Sequence, residues 1–246
     1  MNGLHLVMPM GGKGLRFFNN GFERPKPLIN LRGKPFFYWA IQSVRNFVDL
    51  DGLTAVVLKD HVEKYGIDRE ILHYFPEANI VAIPESPNGA LLTCLQGIND
   101  IPDDVHIIFN DCDHAFKCSR FYEFCMNRES TFIDGALLTF TSSDPKFSYA
   151  ELNTDRNVVR TVEKQVISDM AICGAYYFND KEIFSTYASH YLKTCHYSEY
   201  YISGVYNSMI QYGCIVKTFP LDFHLSFGTP SEFKEAEEFD RFDLLL

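Results

Sequence analysis

The chain lacks the features that mark several large classes of proteins. Its 246 residues contain no cluster of lysines and arginines and carry a formal net charge of -10, so nothing in it suits a nucleic-acid backbone. No apolar run approaches the roughly 18 residues that a membrane span needs. The first residues show neither a basic region nor a cleavage site. We therefore expect a cytoplasmic protein that has no nucleic-acid or membrane partner.

Paired cysteines are also missing. The seven cysteines are an odd number and include no Cys-x-x-Cys pair, which argues against a disulfide framework and against zinc ligation. Free cysteine is most often a small buried apolar residue. We expect reduced, mostly buried thiols at Cys94, Cys112, Cys118, Cys125, Cys173, Cys195 and Cys214.

Apolar runs alternate with segments of helical periodicity through the first half of the chain, and no repeat, low-complexity tract or linker interrupts them. This alternation predicts an α/β, Rossmann-like fold, a mostly parallel mixed sheet flanked by helices. The predicted strands are Leu4–Met10, Leu53–Lys59, Asn79–Pro84 and Val105–Asn110. One predicted helix begins at Pro35, and two more span Asp68–Phe75 and Gly89–Ile98.

The pattern changes in the second half of the chain. Short alternating segments flank a turn of Asn and Asp residues as a hairpin would, which predicts a small antiparallel elaboration of the parallel core. The predicted strands are Ala136–Thr141, Tyr149–Leu152, Val158–Val162, Ala171–Phe178 and Ile215–Phe219. The predicted helices are Ile183–Leu192, Tyr200–Tyr212 and a charged one from Ser231.

The first predicted strand ends in a glycine-rich loop that contains Gly11, Gly12 and Gly14. Glycines allow tight turns that point several backbone N–H groups at one anion, so the loop can hold a triphosphate. Phe17 stands where a dinucleotide-binding fingerprint needs its third glycine, and no Gly-Lys-Ser/Thr ending follows as in a P-loop. The loop therefore argues against hydride transfer and against P-loop ATPase chemistry.

Two cations follow the loop. Arg16 comes directly after it, and Lys26 lies between Pro25 and Pro27. The proline rings restrict the backbone on both sides of the lysine. We therefore expect a positive charge on a rigid backbone segment near the loop.

Two carboxylates follow a predicted buried strand. Asp111 and Asp113 come directly after Val105–Asn110, which places them at the sheet edge where ligands bind in open α/β folds. Mg²⁺ prefers hard oxygen ligands and completes its shell with waters and substrate phosphates. The pair therefore predicts a Mg²⁺ site, and we expect the adjacent His114 to form hydrogen bonds instead of binding a metal.

These motifs occur together in a known family. The segments Val7–Phe17, Pro25–Leu28 and Gly33–Pro35 resemble the signature of the sugar-phosphate nucleotidyltransferases, in particular the branch found in capsule and surface-polysaccharide gene clusters. Further family segments follow in the same order, so the resemblance covers nearly the whole chain. They are Glu85–Ala90, Ser148–Ala150, Val162–Lys164, Gly174–Phe178 and Gly228–Pro230.

The resemblance implies a single domain over residues 1–246 with the nucleotide-diphospho-sugar transferase fold, a nucleotide-binding half at 1–133 and an acceptor-binding half at 134–246. It implies catalytic roles for Arg16, Lys26 and Asp113, with Asp113 as the Mg²⁺ ligand. It implies nucleotide contacts at Met10, Gly11, Gly12, Gly14, Pro87, Gly89, Thr93 and Asp111. It implies acceptor contacts at Tyr149, Glu163, Lys164 and Gly174.

The chain departs from the family pattern at two positions. Leu92 stands where many relatives carry a polar or acidic residue near the nucleobase, and Ser226 stands where many carry an Asp as second metal ligand. We do not expect Asp222, upstream of Ser226, to replace that ligand. The bound metal is then expected to rest on Asp113 and the substrate phosphates.

The implied function is Mg²⁺-dependent transfer of a nucleotidyl group from an NTP to a small acceptor phosphate, above all a sugar phosphate for capsule or surface polysaccharide, with release of pyrophosphate. A cytidylyltransferase for a non-sugar phosphate, such as phosphocholine or phosphoglutamine, is an alternative. A glycosyltransferase would also use an Asp-x-Asp centre, although it would not need the glycine loop. A non-catalytic regulatory subunit would be expected to lose Arg16, Lys26 or Asp113. The nucleobase, the acceptor and a homo-oligomeric state stay open.

Overall fold

A nine-stranded mixed sheet forms the centre of the computed structural model, which describes residues 3–128, 132–240 and 242–245. The strands are β1 (Leu4–Met10), β2 (Asn30–Leu31), β3 (Lys34–Pro35), β4 (Leu50–Leu58), β5 (Asn79–Ile83), β6 (His106–Asn110), β7 (His114–Lys117), β8 (Gly135–Thr141), β9 (Ser148–Leu152), β10 (Val158–Glu163), β11 (Met170–Phe178), β12 (Val216–Pro220) and β13 (Phe223–Ser226). The α-helices are α1 (Leu15–Phe18), α2 (Phe36–Arg45), α3 (Lys59–Tyr65), α4 (Ile67–Tyr74), α5 (Ala90–Gly97), α6 (Ser119–Met126), α7 (Lys181–Thr194), α8 (Ser203–Gln211) and α9 (Pro230–Glu238). Short 3₁₀ helices span Lys26–Leu28 and Phe242–Leu245.

The first half of the chain supplies the parallel part of the sheet. β1 pairs in parallel with β4 on one side and with β6 on the other, and β4 pairs in parallel with β5. Successive residues of β1 face opposite layers, since Leu6 and Met8 pack on one face and Val7 on the other, as the twofold period of a strand requires. The predicted mostly parallel α/β core is confirmed.

The second half of the chain extends the same sheet. β11 pairs antiparallel with β6, β8 and β9, and β9 forms the predicted hairpin with β10. β12 adds in parallel to β8. β6 therefore has a parallel neighbour on one side and an antiparallel neighbour on the other, so the two halves of the chain meet along β6.

A local irregularity in β11 lies at this meeting point. The register of β11 shifts between Ile172 and Tyr176, and Gly174 within it has a φ of 99°, a left-handed value that glycine adopts without strain. The carbonyl of Gly174 accepts the N–H of Asp111 at 2.9 Å. The irregular stretch thereby fixes the first residue after β6, as β-bulges often do beside functional sites.

Helices cover both faces of the sheet. α2, α4 and α6 bury apolar side chains against one face, and α5, α7 and α8 against the other. None of the helices within the described ranges is both long and apolar enough to cross a membrane. The helix predicted to begin at Pro35 is confirmed as α2, and its side chains Phe37, Ala40, Ile41 and Val44 form an apolar face with no exposed surface.

A small second sheet and an aromatic cluster flank the sheet edge. β7 and β13 pair antiparallel, with Ser226 opposite His114. Behind them the ring of Phe36 lies 4.6 Å from that of Phe227 and 5.8 Å from that of Phe17, measured between centroids. Because Phe17 follows the glycine loop and Phe227 follows β13, this cluster holds the loop against the last third of the chain.

The sequence pattern does not predict every element. It extends β4 to Lys59, where the structure already begins α3, and it does not predict β7, α6 or β13. β7 and β13 have four residues each and are stabilised by pairing with a segment distant in sequence. Local periodicity carries no signal for such a pairing.

The cysteines are free thiols. Five are buried, and Cys195 and Cys214 are half-buried. Burial raises the pKa of the Cys112 and Cys118 thiols to about 12, because a low-dielectric surrounding disfavours the thiolate. Both are therefore protonated and unreactive at neutral pH.

The hydroxyl of Ser43 links α2 to β7, and this link can be tested. It donates to the Trp39 carbonyl at 2.9 Å and accepts the Phe116 N–H at 3.0 Å. Ser43→Ala leaves that buried N–H unpaired, so we expect urea unfolding to show a loss of about 1–3 kcal/mol in the free energy of unfolding. The control is Ser189→Ala, whose exposed hydroxyl bonds the Ser185 carbonyl within α7; it should change stability by less than about 0.5 kcal/mol. Equal losses would contradict the link.

Candidate active site

Two open cavities meet at the carboxyl end of β6. The glycine-loop cavity, of about 430 Å³, lies over the loop after β1, and the hairpin cavity, of about 510 Å³, lies beside β9 and β10. Asp111 and Asp113 line both cavities, together with Ala90 of α5. The two carboxylates therefore stand between two binding spaces, at the sheet edge where ligands of α/β proteins bind.

The glycine-loop cavity gathers the residues predicted to bind the nucleotide. Its walls come from the end of β1, the glycine loop, the turn before α5 and the segment after β6. Lys26 and Asp113 also line it, so a cation and a carboxylate lie beside the loop. All of the predicted nucleotide contacts line this cavity: Met10, Gly11, Gly12, Gly14, Pro87, Gly89, Thr93 and Asp111.

Two glycines of this cavity are required by close approaches. A Cβ atom on Gly14, which has a φ of 64°, would lie 3.1 Å from Cβ of Lys26. A Cβ atom on Gly89, which has a φ of 110°, would lie 2.4 Å from the carbonyl oxygen of Tyr200. Both conformations favour glycine. These glycines let Lys26 approach the loop and let the segment around Tyr200 close the far wall.

Lys26 and Asp113 form an ion pair at the boundary of the two cavities. Nζ of Lys26 donates to Oδ2 of Asp113 at 2.9 Å, with the side chains 28% and 24% exposed. A Cβ atom on Gly228 would lie 2.4 Å from the same Oδ2, so the absence of a side chain there makes room for the carboxylate. Lys26, predicted to lie on a rigid backbone segment, thus faces Asp113, the carboxylate predicted to bind the metal.

The two carboxyl groups differ in protonation. Burial alone would raise the pKa of Asp113, but the neighbouring Lys26 ammonium outweighs it and the pKa is lowered. Burial, and then the charge of Asp113, raise the pKa of Asp111 to about 7. Burial lowers the pKa of Lys26, yet the carboxylate of Asp113 outweighs that effect and the pKa is raised. At neutral pH Asp113 is therefore ionised, whereas burial favours the protonated form of Asp111.

The donor set suits a Mg²⁺ ion that binds together with a substrate. Across the described ranges, no three or more His, Cys, Asp and Glu side chains are grouped to enclose a metal. Asp111 and Asp113 nevertheless present carboxylates to both cavities. Mg²⁺ is commonly held by one or two carboxylates, with waters and substrate phosphates as its remaining ligands. The residues present therefore fit this ion.

The hairpin cavity gathers most residues predicted to bind the acceptor. Glu163 and Lys164 at the end of β10 line it, and so does Gly174 of β11. Arg16 lines this cavity as well, although the family resemblance assigns it to the phosphates of the nucleotide. Arg16 does not line the glycine-loop cavity, so its charge lies on the side of the hairpin cavity.

Two hydroxyl groups hold the carboxylate of Glu163. Ser148 donates to Oε1 at 2.6 Å, and Ser203 donates to the same oxygen. Burial raises the pKa of Glu163 even though these hydrogen bonds act in the opposite direction. A carboxylate fixed in this way can accept a further hydrogen bond from a ligand hydroxyl through its other oxygen.

Lys164 has an unusual backbone conformation. Its φ is 53°, a left-handed value that is uncommon outside glycine and that recurs at functional sites. Its N–H donates to the carbonyl of Phe147 at 3.1 Å, and its Nζ donates to the hydroxyl of Tyr201 at 2.8 Å. The turn at the end of β10 thereby fixes the ammonium group at the cavity wall.

Tyr149 does not take the position predicted for it. Its side chain is fully buried and its hydroxyl donates to the carbonyl of Asp144 at 2.8 Å, so it supports the cavity wall and offers no surface to a ligand. Ser226 lines the hairpin cavity. Asp222 is outside both cavities, and its Oδ2 accepts the N–H of Ser119 at the start of α6 at 2.6 Å. Its position agrees with the expectation that it does not replace a metal ligand at Ser226.

Several residues of the hairpin cavity are not predicted from the sequence. Lys146 forms an ion pair with Glu232 of α9 at 3.0 Å. Burial lowers the pKa of His114 to about 4 and that of His224 to about 3. Both imidazole rings are therefore neutral at pH 7. These residues lie on segments far apart in sequence. Only the aromatic residues just before α8, which include Tyr201, give a local sequence signal of a binding surface. The residues not predicted are Lys146, Phe147, Tyr201, His224, Thr229 and Glu232.

The chain matches the family model described as nucleotidyl transferase over residues 6–241. This range includes both cavities, the glycine loop and the two carboxylates between them. The chain therefore belongs to the nucleotidyl transferase family. The resemblance to the nucleotidyltransferases inferred from its motifs is confirmed, and the capsule and surface-polysaccharide branch stays a prediction.

Two curated proteins align with part of the chain. It is 23% identical over 158 residues to the bifunctional protein GlmU of Methanococcus maripaludis, an alignment that covers 64% of this chain and 35% of that protein. It is 26% identical over 117 residues to the 2-C-methyl-D-erythritol 4-phosphate cytidylyltransferase of Clostridium perfringens, covering 48% and 49%. The chain thus spans about a third to a half of the length of these relatives.

Solved structures share the fold over almost the whole chain. A nucleoside-diphosphate-sugar pyrophosphorylase from Vibrio cholerae RC9 superposes with a TM-score of 0.82 at 22% identity, covering 95% of this chain and all of that one. The inositol-1-phosphate CTP transferase from T. maritima superposes with a TM-score of 0.75 at 14% identity, covering 97% of both chains. At these identities the likeness establishes the fold, and the predicted nucleotidyltransferase fold is confirmed.

The contact between Gly228 and Asp113 predicts the effect of one added methyl group. Gly228→Ala places a Cβ atom 2.4 Å from Oδ2 of Asp113, so the carboxylate or the turn must move. A displacement of about 1 Å at a catalytic group can lower the rate about 100-fold. We expect kcat for pyrophosphate release to fall by roughly that factor while the thermal unfolding midpoint changes little. Ser231→Ala, an exposed change in the first turn of α9, is the control; an equally active Gly228→Ala variant would contradict the assigned position of Asp113.

Proposed function

We propose that the chain transfers a nucleotidyl group from an NTP to the phosphate of a small acceptor in a Mg²⁺-dependent reaction that releases pyrophosphate. The observation that carries the proposal is the sharing of Asp111 and Asp113 by two adjacent cavities, one beside a glycine loop and one beside Lys164. A reaction that joins two phosphorylated substrates requires two binding spaces with a charged boundary where the reacting atoms meet.

In this reaction an oxygen of the acceptor phosphate attacks the α-phosphorus of the NTP. A new P–O bond forms as the bond from the α-phosphorus to the bridging oxygen breaks, and pyrophosphate leaves with that electron pair. No protein nucleophile is required, so the protein acts by positioning the substrates and neutralising charge. We assign the nucleotide to the half at residues 1–133 and the acceptor to the half at 134–246.

The charged residues at the boundary take separate roles in this proposal. The triphosphate lies over the glycine loop, where Lys26 neutralises phosphate charge as the leaving group departs. Arg16 acts from the hairpin side, between the two phosphates. Asp113, which is ionised at neutral pH, is the metal ligand that we assign, with Asp111 as a supporting carboxylate. When bound, Mg²⁺ neutralises phosphate charge and helps to orient the reacting groups.

We assign a sugar phosphate to the hairpin cavity as acceptor, for the synthesis of a capsule or surface-polysaccharide precursor. Lys164 offers a point charge to the acceptor phosphate, and Glu163 offers an acceptor to a hydroxyl group. The names of similar proteins support this class of acceptor: the Vibrio cholerae structure is named for a nucleoside-diphosphate sugar, and two other relatives are named for methylerythritol 4-phosphate and inositol 1-phosphate.

The experiment that tests the proposal combines each of four NTPs with Mg²⁺ and a panel of acceptors. The panel contains hexose 1-phosphates, inositol 1-phosphate, phosphocholine and phosphoglutamine, and pyrophosphate release is followed. Release that depends on both an NTP and an acceptor is the expected result. Sugar transfer from a nucleotide sugar would instead identify a glycosyltransferase, and NTP binding without turnover with any acceptor would identify a regulatory subunit.

The first prediction from this proposal concerns the two carboxylates. Asp113→Asn removes the ionised metal ligand at nearly constant volume, so we expect turnover to be abolished while the fold survives. Asp111→Asn should be milder, because we assign Asp111 only a supporting role beside the metal ligand. Steady-state kinetics across a Mg²⁺ titration, with circular dichroism of both variants, provide the measurement. A larger loss in Asp111→Asn would mean that the two assignments must be exchanged.

The second prediction separates the two cavities. Lys164→Met keeps the length of the side chain and removes its charge, so the acceptor loses one charge-assisted hydrogen bond worth about 1.5–3 kcal/mol. We expect kcat/KM for the acceptor to fall roughly ten- to a hundredfold, while NTP binding measured by calorimetry without acceptor changes little. Lys217→Met on β12, outside both cavities, is the matched control. An equal loss of NTP affinity in Lys164→Met would count against the division between the cavities.

A further inference from the structure

A segment rich in tyrosine connects α7 to α8 and reaches both cavities. Glu199 of this segment lines the glycine-loop cavity, and Tyr201, two residues later, lines the hairpin cavity. Tyr201 is therefore a cavity residue to which the reaction described above assigns no role.

The main chain of this segment is fixed to the turn before α5. The amide nitrogen of Asn88 donates to the carbonyl of Ser198 at 2.9 Å, and the N–H of Tyr200 donates to the carbonyl of Asn88 at 3.2 Å. The N–H of Leu91, in the first turn of α5, donates to the carbonyl of Tyr200 at 3.1 Å. Tyr201 thus extends from a backbone that is held against the wall of the glycine-loop cavity.

A second tyrosine holds the ring of Tyr201. The ring centroids of Tyr197 and Tyr201 are 5.7 Å apart and the ring planes are 85° apart, an edge-to-face arrangement that aromatic pairs favour. The hydroxyl of Tyr197 in turn accepts the N–H of Glu163 at 3.3 Å. The two rings therefore lie against the end of β10, where Glu163 and Lys164 line the hairpin cavity.

Lys164 has a side chain that needs to be held. It is exposed, and a flexible carbon stem joins its ammonium group to the backbone. The turn at the end of β10 fixes the backbone but leaves this stem free to change rotamer. The hydroxyl of Tyr201 accepts one N–H of the ammonium at 2.8 Å, which leaves the remaining N–H groups for a phosphate.

The holding group is a neutral hydroxyl although carboxylates lie nearby. The hydrogen bond to Tyr201 raises the pKa of Lys164, and the charges of Glu199 and Glu163 raise it further. Within the described part of the chain, neither carboxylate forms an ion pair with Lys164. An ion pair with one of them would neutralise the ammonium, whereas the hydroxyl holds it and leaves its charge available to a substrate.

We propose that Tyr201 is a positioning residue whose hydroxyl holds the ammonium of Lys164 away from the neighbouring carboxylates, so that this charge is in place before the acceptor phosphate binds. The inference rests on the proposed nucleotidyl transfer and adds the residue that pre-organises its acceptor site. Because the segment of Tyr201 is fixed to the turn before α5, the ammonium is also held at a constant position relative to the glycine-loop cavity.

The kinetic test is a double-mutant cycle in which Tyr201→Phe removes the hydroxyl and keeps the ring. With the best acceptor of the panel, we expect Tyr201→Phe to lower kcat/KM for the acceptor about 5- to 30-fold, the upper limit being set by the rotamer entropy of a lysine side chain. In the Lys164→Met background the same change should cost less than about twofold, because the group that Tyr201 positions is absent. KM for the NTP should not change. Tyr212→Phe, at an exposed tyrosine outside both cavities, is the matched control.

A second measurement does not depend on turnover. Nuclear magnetic resonance relaxation of the lysine ε-carbons reports the mobility of each lysine side chain, and the signal of Lys164 is assigned from its absence in Lys164→Met. We expect restricted motion of this carbon in the wild type and faster motion in Tyr201→Phe. Lys234, an exposed lysine of α9, is the mobile reference.

Three results would overturn the proposal. The first is an equal loss from Tyr201→Phe with and without Lys164, which would place the hydroxyl directly on the substrate. The others are an unchanged kcat/KM in Tyr201→Phe and an ε-carbon of Lys164 that is equally mobile in wild type and variant. If no acceptor supports pyrophosphate release, the proposed function fails, and the mobility comparison still decides whether Tyr201 holds Lys164.

Discussion

The ion pair between Lys26 and Asp113 is the contact on which the arrangement of the site depends. Two carboxylates that follow one strand repel each other and lose hydration when partly buried, and a cation 2.9 Å from one of them offsets both effects. Glycines on both sides leave room for the two carboxylates, because Cβ atoms on Gly174 and Gly228 would lie 2.7 Å and 2.4 Å from the carboxylates of Asp111 and Asp113. The ion pair therefore determines where the loop that carries Lys26 and the turn before α9 must lie, and the adjacent Asp111 does the same for the irregular stretch of β11.

Apolar packing supplies the rigidity that this charged boundary needs. The cluster of Phe17, Phe36 and Phe227 connects the end of the glycine loop with the segment after β13, and the hydroxyl of Ser43 ties α2 to β7. Residues from both halves of the chain thus converge on the end of β6, although they are far apart in sequence. A fixed charge arrangement of this kind stabilises a transition state without reorganising during the reaction.

The local sequence pattern predicts the residues on the nucleotide side of the site, but it does not predict many of those on the acceptor side. The glycine loop, Lys26 and the carboxylates follow strand ends within one βα pattern, so their chemistry and their position are encoded together. Tyr149 matches a family segment, but the alternation of a strand turns its side chain into the core. Lys146, His224 and Glu232 reach the cavity only through the pairing of β7 with β13 and the docking of α9, which are long-range contacts without a local pattern.

The most direct test of the account follows the phosphorus atoms of the NTP. The protein is incubated with Mg²⁺, an acceptor phosphate and an NTP labelled with ³²P either at the α-phosphorus or at the γ-phosphorus, and the products are separated by thin-layer chromatography. The account predicts that the α-label joins the acceptor and that the γ-label appears in pyrophosphate. Transfer of the γ-label to the acceptor, or release of γ-labelled inorganic phosphate in place of pyrophosphate, would contradict nucleotidyl transfer across Asp111 and Asp113.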